Sequence, residues 1–192
     1  LEHGRVRNTH VGFKEDSGPS TRVSKLMECT QALGCVPSSY TSGYAEHATM
    51  VAGLAVGDLT DGQDPAIWGE YSRISRSGYA REASLHFYRA PQDADIVTAL
   101  DGIAAGTAEI LNMSIAGGRG NTTDPQCLGE TAIALAVNNV FEHGIVPFVA
   151  TGNNGHASTT DCVVEDAANA IGAFAVNMHT TDATGYADPI AQ

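Results

Sequence analysis

The sequence predicts an α/β fold in which a parallel sheet carries helices on both faces. Between positions 47 and 176, short apolar stretches of strand length alternate with segments whose apolar residues recur at helical spacing. Such alternation is typical of parallel sheets covered by helices. The composition, with 43% hydrophobic residues, is that of an ordinary globular protein. No apolar run approaches the ~20 residues that a membrane-spanning helix needs.

The predicted elements begin after a polar, turn-rich stretch of 46 residues. Helices are predicted at 47–56, 93–108 and 128–142, and strands at 83–88, 109–115, 145–150 and 170–176. The second helix rests on the helical spacing of Ile96, Leu100 and Ile103, and Gly144 ends the third. Ligands of parallel sheets bind beyond the carboxyl ends of the strands. The residues that follow Ile115 and Ala150 are therefore the first candidates for chemistry.

Length and charge narrow the classes of function. A chain of 192 residues without repeats or linkers suits a single domain over 1–192, or part of a larger one. Ten basic residues stand against 22 acidic ones, giving a net charge of −12. Nucleic acids and anionic membranes need clustered Lys and Arg, so we expect neither as a partner.

The four cysteines indicate the cellular compartment. Cys29 and Cys35 flank a short turn, whereas Cys127 and Cys162 lie in polar segments. Neither pair has the C-x-x-C spacing of a zinc or thioredoxin-like motif. Their even number in loops predicts two disulfides, Cys29–Cys35 and Cys127–Cys162, and hence an oxidising compartment. The alternative, four free thiols in a cytosolic protein, stays open at this stage.

Three segments carry candidate chemistry, although each has an ordinary structural explanation. His47 begins a helix of small residues and can project into a cleft. The strand that runs into Gly117 can pair with an extended peptide. The strand that ends at Ala150 delivers Asn153, whose amide can donate a hydrogen bond to an oxyanion. Singly, a surface histidine, a glycine turn and an Asn-Gly turn would account for them.

Together, and in this order, the three segments resemble the subtilisin-like serine proteases, or subtilases. HATMVAG from position 47 resembles the H-G-T-H-V-A-G box, LNMSIAGG from 111 resembles I-N-M-S-L-G-G, and VATGNNG from 149 resembles A-A-G-N-x-G. The resemblance covers positions 10 to 176. It implies a secreted endopeptidase with His47 as general base, Asn153 in the oxyanion hole, and a peptide or protein substrate. It also implies these substrate-binding residues: Ser114, Ile115, Ala116, Gly117, Ala150, Thr151 and Gly152.

The chain departs from the family pattern in two ways. Ala48 and Met50 replace a glycine and a histidine of the first box. The serine box G-T-S-M-A is absent, since Ser158, the only serine after Asn153, lies in an unrelated sequence. We therefore expect a partial peptidase domain, inactive alone, whose partner is the remaining part of the same domain. The rival interpretation is a catalytically inactive subtilase-like module that binds peptides or partners.

Two alignments compete for the triad aspartate. Asp16-Ser17-Gly18 has the family's D-[ST]-G tripeptide, although a surface turn explains it as well. Alternatively, HVGF from position 10 resembles the H-P-x-F that follows the aspartate, which places the acid near Glu2-His3-Gly4 or just before residue 1.

Cofactors and modifications are only weakly indicated. The chemistry requires no cofactor, and structural calcium is implied by the resemblance alone, without a motif that locates it. The glycines at 117–120 lack both phosphate-binding motifs, which disfavours a nucleotide-binding domain. Asn121-Thr122-Thr123 is a glycosylation sequon in a predicted loop.

Overall fold

The computed structural model describes residues 1–14, 21–58, 78–115, 125–152, 164 and 166–177. These residues belong to two compact units. The first unit is Glu2–Gln92, and the second is Asp93–Gln192 together with Leu1. The expectation of a single domain over 1–192 remains a prediction.

The first unit is built on a sheet of three strands. β1 (Val23–Thr30) lies between β2 (Gly34–Pro37), with which it is antiparallel, and β3 (Leu85–Arg89), with which it is parallel. The first unit also contains helix α1 (Glu46–Val56) and a short 3₁₀ turn at Val11–Phe13. The core of the unit consists of these buried residues: Val6, Phe13, Val23, Ala48, Ala52, Val56 and Phe87.

The sequence patterns indicated no particular element in the polar first 46 residues, but β1 and β2 lie there. Lys25 and Glu28 made the stretch look too polar for a strand. In the structure each finds a partner across the β1–β3 pair. Lys25 Nζ donates to the hydroxyl of Tyr88 at 3.0 Å, and Glu28 accepts from Arg89 at 2.6 Å. Cross-strand polar pairs of this kind stabilise a sheet, so charged residues are tolerated within it.

The second unit contains a parallel sheet in the order β4 (Ile110–Met113), β5 (Val146–Ala150), β6 (Phe174–Val176). Helix α2 (Ile96–Ala104) packs against α4 (Ala132–Glu142), and α4 packs against β5. A four-residue helix, α3 (Pro125–Leu128), precedes α4. The parallel pairing of strands that alternate with helices confirms the predicted α/β class. Among the described residues, no helix is both long and apolar enough to span a bilayer.

Element boundaries differ from the predicted ones for local reasons. The helix predicted at 128–142 starts at Ala132, because Gly129 adopts a positive φ of 69° and ends α3. Thr131 then caps α4 by accepting from the backbone N–H of Ala134 at 3.1 Å. The last strand is shorter than expected, since Gly172 N–H donates instead to the Asn138 side chain of α4.

One of the two predicted disulfides is confirmed. Cys29 and Cys35 are bonded directly across the β1–β2 hairpin, six residues apart in sequence. Cys127 is also disulfide-bonded. Its predicted partner, Cys162, lies outside the described residues.

Candidate active site

The amino-terminal segment is fixed beside β3 by backbone hydrogen bonds. Glu2 N–H donates to the carbonyl of Tyr88 at 3.1 Å, and Ala90 N–H donates to the carbonyl of Glu2 at 2.9 Å. This is a parallel bridge between Glu2 and Arg89. His3 Nδ1 lies 2.6 Å from the carbonyl oxygen of Ala90. Residues 2 and 3 therefore extend the sheet of the first unit by one short strand segment.

Gly4 lets this segment approach the start of α1. A Cβ atom on Gly4 would overlap with the Cβ of Ala45, closer than non-bonded carbons approach in proteins. Immediately after it, the carbonyl of Arg5 accepts from the N–H of Ala45 at 2.8 Å. The segment and the helix start are therefore in direct contact, and His47 is the second residue of that helix.

The result is a contact between the carboxylate of Glu2 and the imidazole of His47. His47 Nδ1 lies 3.2 Å from Oε1 and 3.3 Å from Oε2 of Glu2, and the pair to Oε2 has hydrogen-bond geometry. The Glu2 side chain is only 4% exposed, whereas that of His47 is 57% exposed. Burial raises the pKa of Glu2 above its ordinary value, and the nearby His47 offsets part of this effect.

This geometry fixes the role that each imidazole nitrogen can play. A carboxylate can only accept, so Nδ1 carries the hydrogen that is shared with Glu2. Nε2 is then the nitrogen that can take a proton from another group, and the buried carboxylate would stabilise the imidazolium that forms. The pair therefore combines a buried carboxylate with a histidine that is accessible from solvent.

Small residues allow α1 to hold His47 in this position. Ala48 and Ala52 are buried in the core of the first unit, so the helix lies close to the segment that carries Glu2. Met50, on the other hand, is 57% exposed. The two departures from the family box thus have different surroundings: Ala48 faces the core and Met50 does not.

The predicted substrate-binding residues lie in the second unit. Ser114 and Ile115 follow the end of β4, and Ala150 ends β5. Because β4 and β5 are parallel neighbours, these residues share one edge of the sheet. Ser114 Oγ accepts from the amide of Asn112 at 3.0 Å.

Thr151 and Gly152 continue β5 at the same edge. Thr151 is buried, and its N–H donates to the carbonyl of Val176 at 3.0 Å. Gly152 has a positive φ of 97°, a conformation that favours glycine and turns the chain away from the strand. The two predicted strand ends are therefore brought together as expected.

Four of the candidate catalytic and substrate-binding residues lie outside the described residues: Asn153, Ala116, Gly117 and Asp16. The second of the two alignments put the triad acid near Glu2-His3-Gly4. In the structure, the carboxylate of Glu2 contacts His47. The sequence did not single out Glu2 among these positions, because Glu2 is a glutamate where the family has an aspartate. The only hint in this stretch of sequence is the glycine at position 4, two residues after Glu2. In the structure, the backbone at Gly4 lies too close to the start of α1 for a side chain.

The described residues give no support for placing a metal. Within the parts of the chain that the structure describes, no group of three or more His, Cys, Asp or Glu side chains is suited to hold an ion.

Comparison with known proteins identifies the family. Residues 35–189 match the subtilase family. Two solved structures share the fold. S41 psychrophilic protease has a TM-score of 0.64 at 21% identity, over 95% of this chain and 52% of its own length. Sphericase has a TM-score of 0.59 at 24% identity, over 97% of this chain and 59% of its own length.

The chain thus spans little more than half the length of these two structures. No curated protein matches it by sequence. The family match nevertheless covers most of the chain and includes α1 and both strand ends described above. On these grounds the chain belongs to the subtilase family.

Proposed function

We propose that this chain is part of a secreted serine endopeptidase and supplies the acid and base of its catalytic triad. His47 takes the proton of a nucleophilic serine and returns it to the leaving amine, while Glu2 orients the imidazole and stabilises its charged form. Asn153 donates to the oxyanion of the tetrahedral intermediate. Ser114–Gly117 and Ala150–Gly152 hold the substrate peptide.

The observation that carries this proposal is the contact between Glu2 and His47. Burying a carboxylate is costly unless a partner compensates its charge. Here the partner is a histidine whose own side chain is 57% exposed. The exposed side chain of His47 meets the requirement that a general base must reach its substrate.

The serine itself is proposed to come from polypeptide outside these 192 residues. The serine box is absent from the sequence, and the matched structures are nearly twice as long as the part they share with this chain. In the second unit, Phe148 and Phe174 stack at 5.3 Å while remaining 37% and 55% exposed, beside Val176 at 50%. Such an apolar sheet face is suited to receive the remaining part of the domain.

A secreted location is supported by the cysteines. The Cys29–Cys35 disulfide and the bonded state of Cys127 fit an oxidising compartment.

The test uses the full-length parent protein, with one peptide substrate and variants matched for folding. His47→Ala should nearly abolish hydrolysis, because the serine then has no base. Asn153→Ala should leave a weak residual rate, lower by about 10²–10³ in kcat, which is the magnitude known for this donor in subtilisin. A fluorophosphonate probe should label one serine in the wild type and label it far more slowly in the His47 variant.

The matched controls are the histidines away from Glu2. His86 lies in β3, and His143 caps the end of α4 with Nδ1 2.8 Å from the Asn139 carbonyl. Replacing either by alanine should leave kcat largely unchanged. Full activity of the His47 variant would refute the proposal. A folded parent protein that neither hydrolyses peptides nor labels with the probe would instead support the inactive binding module.

A further inference from the structure

A charged cluster holds the segment that carries Glu2, although its members take no part in the triad chemistry. Arg89, the last residue of β3, donates from Nε to the carbonyl oxygen of His3 at 2.9 Å. From Nη1 it donates to Oε1 of Glu28 at 2.6 Å. One guanidinium thus joins the residue that follows Glu2 to a carboxylate of the neighbouring strand.

Glu28 extends this cluster to the other side of Gly4. Its Oε2 lies 3.7 Å from Nη2 of Arg5, whose guanidinium stacks 5.1 Å from the centre of the Tyr40 ring. The cluster therefore contacts the chain at both His3 and Arg5. Glu28 and Arg89 are direct partners in the register of β1 and β3, so the sheet itself sets their distance.

The charges of the cluster are partly shielded from solvent. The side chains of Arg89 and Glu28 are 20% and 25% exposed, and both of the Arg89 bonds involve a charged group. Charge-assisted hydrogen bonds in such surroundings are stronger and more directional than exposed ion pairs. A planar guanidinium can hold two acceptors at fixed angles, which a lysine cannot do.

The position of the Glu2 carboxylate depends on this anchoring. Glu2 belongs to an isolated bridge rather than to a regular strand, and its backbone is held there by the hydrogen bonds to Tyr88 and Ala90. Its carboxylate must stay within hydrogen-bond distance of His47 Nδ1. Displacement of a catalytic group by about 1 Å can lower a rate by about 10².

We propose that Arg89, held by Glu28, is a positioning residue that keeps Glu2 in contact with His47. Its guanidinium fixes the carbonyl of His3 and thereby the backbone of Glu2, without touching substrate or the imidazole. The inference rests on the proposed function of the Glu2–His47 pair.

The first test is spectroscopic and uses this chain itself. In ¹⁵N NMR at a pH where the imidazole is neutral, the wild type should show His47 with its hydrogen on Nδ1. Glu2→Gln provides the reference for the loss of the carboxylate. In Arg89→Ala the Nδ1–H population should fall towards this reference. Arg89→Lys should restore it only in part, and Glu28→Gln should reduce it less than Arg89→Ala.

The matched control is Lys25→Ala. Lys25 also makes a cross-strand contact between β1 and β3, but its ammonium group bonds to the hydroxyl of Tyr88 and lies over the Tyr88 ring. This variant should lose comparable sheet stability while keeping the wild-type tautomer. The comparison separates general loosening of the sheet from displacement of Glu2.

The second test measures kinetics in the full-length parent. Arg89→Ala should lower kcat by about tenfold or more with little change in KM, because only the orientation of the base is disturbed. A folded Arg89→Ala protein with wild-type kcat and wild-type His47 tautomer would overturn the inference. If the tautomer responds as expected but no variant hydrolyses peptide, the proposed function fails while the positioning role stands.

Discussion

Oε2 of Glu2 lies 3.3 Å from Nδ1 of His47, and this contact joins a buried carboxylate to an imidazole that is largely exposed. The acid comes from the amino-terminal segment and the histidine from the first turn of α1, 45 residues later. Two features of the fold create it: the bridge of Glu2 to β3, and the absence of a side chain at Gly4.

The length of the acid side chain can be tested directly. Glu2→Gln should lower kcat of the full-length parent by about 10⁴, the order seen when a triad acid is replaced by its amide, because the imidazole then loses its orienting negative charge. Glu2→Asp keeps the negative charge, but its side chain is one methylene shorter and holds the carboxylate farther from His47. Its kcat should therefore lie between those of Glu2→Gln and the wild type. Equal kcat in all three proteins would exclude Glu2 as the triad acid.

The close approach at Gly4 predicts a specific steric effect. Gly4→Ala would place a methyl group 2.3 Å from the Cβ of Ala45, and overpacking of this kind costs about 1–3 kcal/mol of unfolding free energy. The shift of the segment should also lower kcat. Gly53→Ala in α1 is the control, since a Cβ there meets nothing within 4 Å. It should keep or increase stability in urea unfolding, and a neutral Gly4→Ala would contradict the packing described.

The disulfide of the first unit should contribute measurably to stability. Cys29→Ala/Cys35→Ala opens a loop with a sequence separation of six residues. The loss of this constraint on the unfolded chain should lower the free energy of unfolding by about 2 kcal/mol. Urea unfolding tests this without reductant, because a reductant would also open the disulfide of Cys127. An unchanged unfolding midpoint in the double variant would show that the hairpin stands without the bond.

Asp166 should give the second unit a pH-dependent stability. Its carboxyl is buried and accepts from the hydroxyl of Thr131, and burial raises its pKa above the ordinary value. The folded state then binds the proton more tightly than the unfolded state. The contribution of Asp166 to stability is therefore present at pH values below its pKa in the unfolded chain. This contribution is lost as the pH rises through its pKa in the folded protein.

Asp166→Asn should remove this dependence. As the pH rises from about 3 to about 7, the range in which carboxyl groups titrate, the variant should lose less stability than the wild type. Asp101→Asn replaces an exposed acid on α2 of the same unit and serves as the control. Urea unfolding at a series of pH values measures the difference. Parallel pH profiles for wild type and Asp166→Asn would contradict a raised pKa at Asp166.

Sequence patterns predicted those elements whose apolar residues are buried at regular spacing. The periodic apolar residues of α2 predict a buried helix face, and Ile96, Leu100 and Ile103 are buried as that spacing requires. The Cys29–Cys35 bond could be predicted because a six-residue separation across a turn keeps the two thiols close. In contrast, β1 was missed because Lys25 and Glu28 have hydrogen-bond partners in β3, more than 60 residues away in sequence.

By itself the sequence determined the α/β class, the family resemblance and the candidacy of His47, because these depend on local spacing and on short motifs. Only the tertiary structure decided which acid faces that histidine. Glu2 reaches it because β3 holds the Glu2 backbone, Arg89 holds the carbonyl of His3, and Gly4 leaves room for α1. Each of these contacts joins residues at least 40 positions apart, and a single sequence does not record such distances.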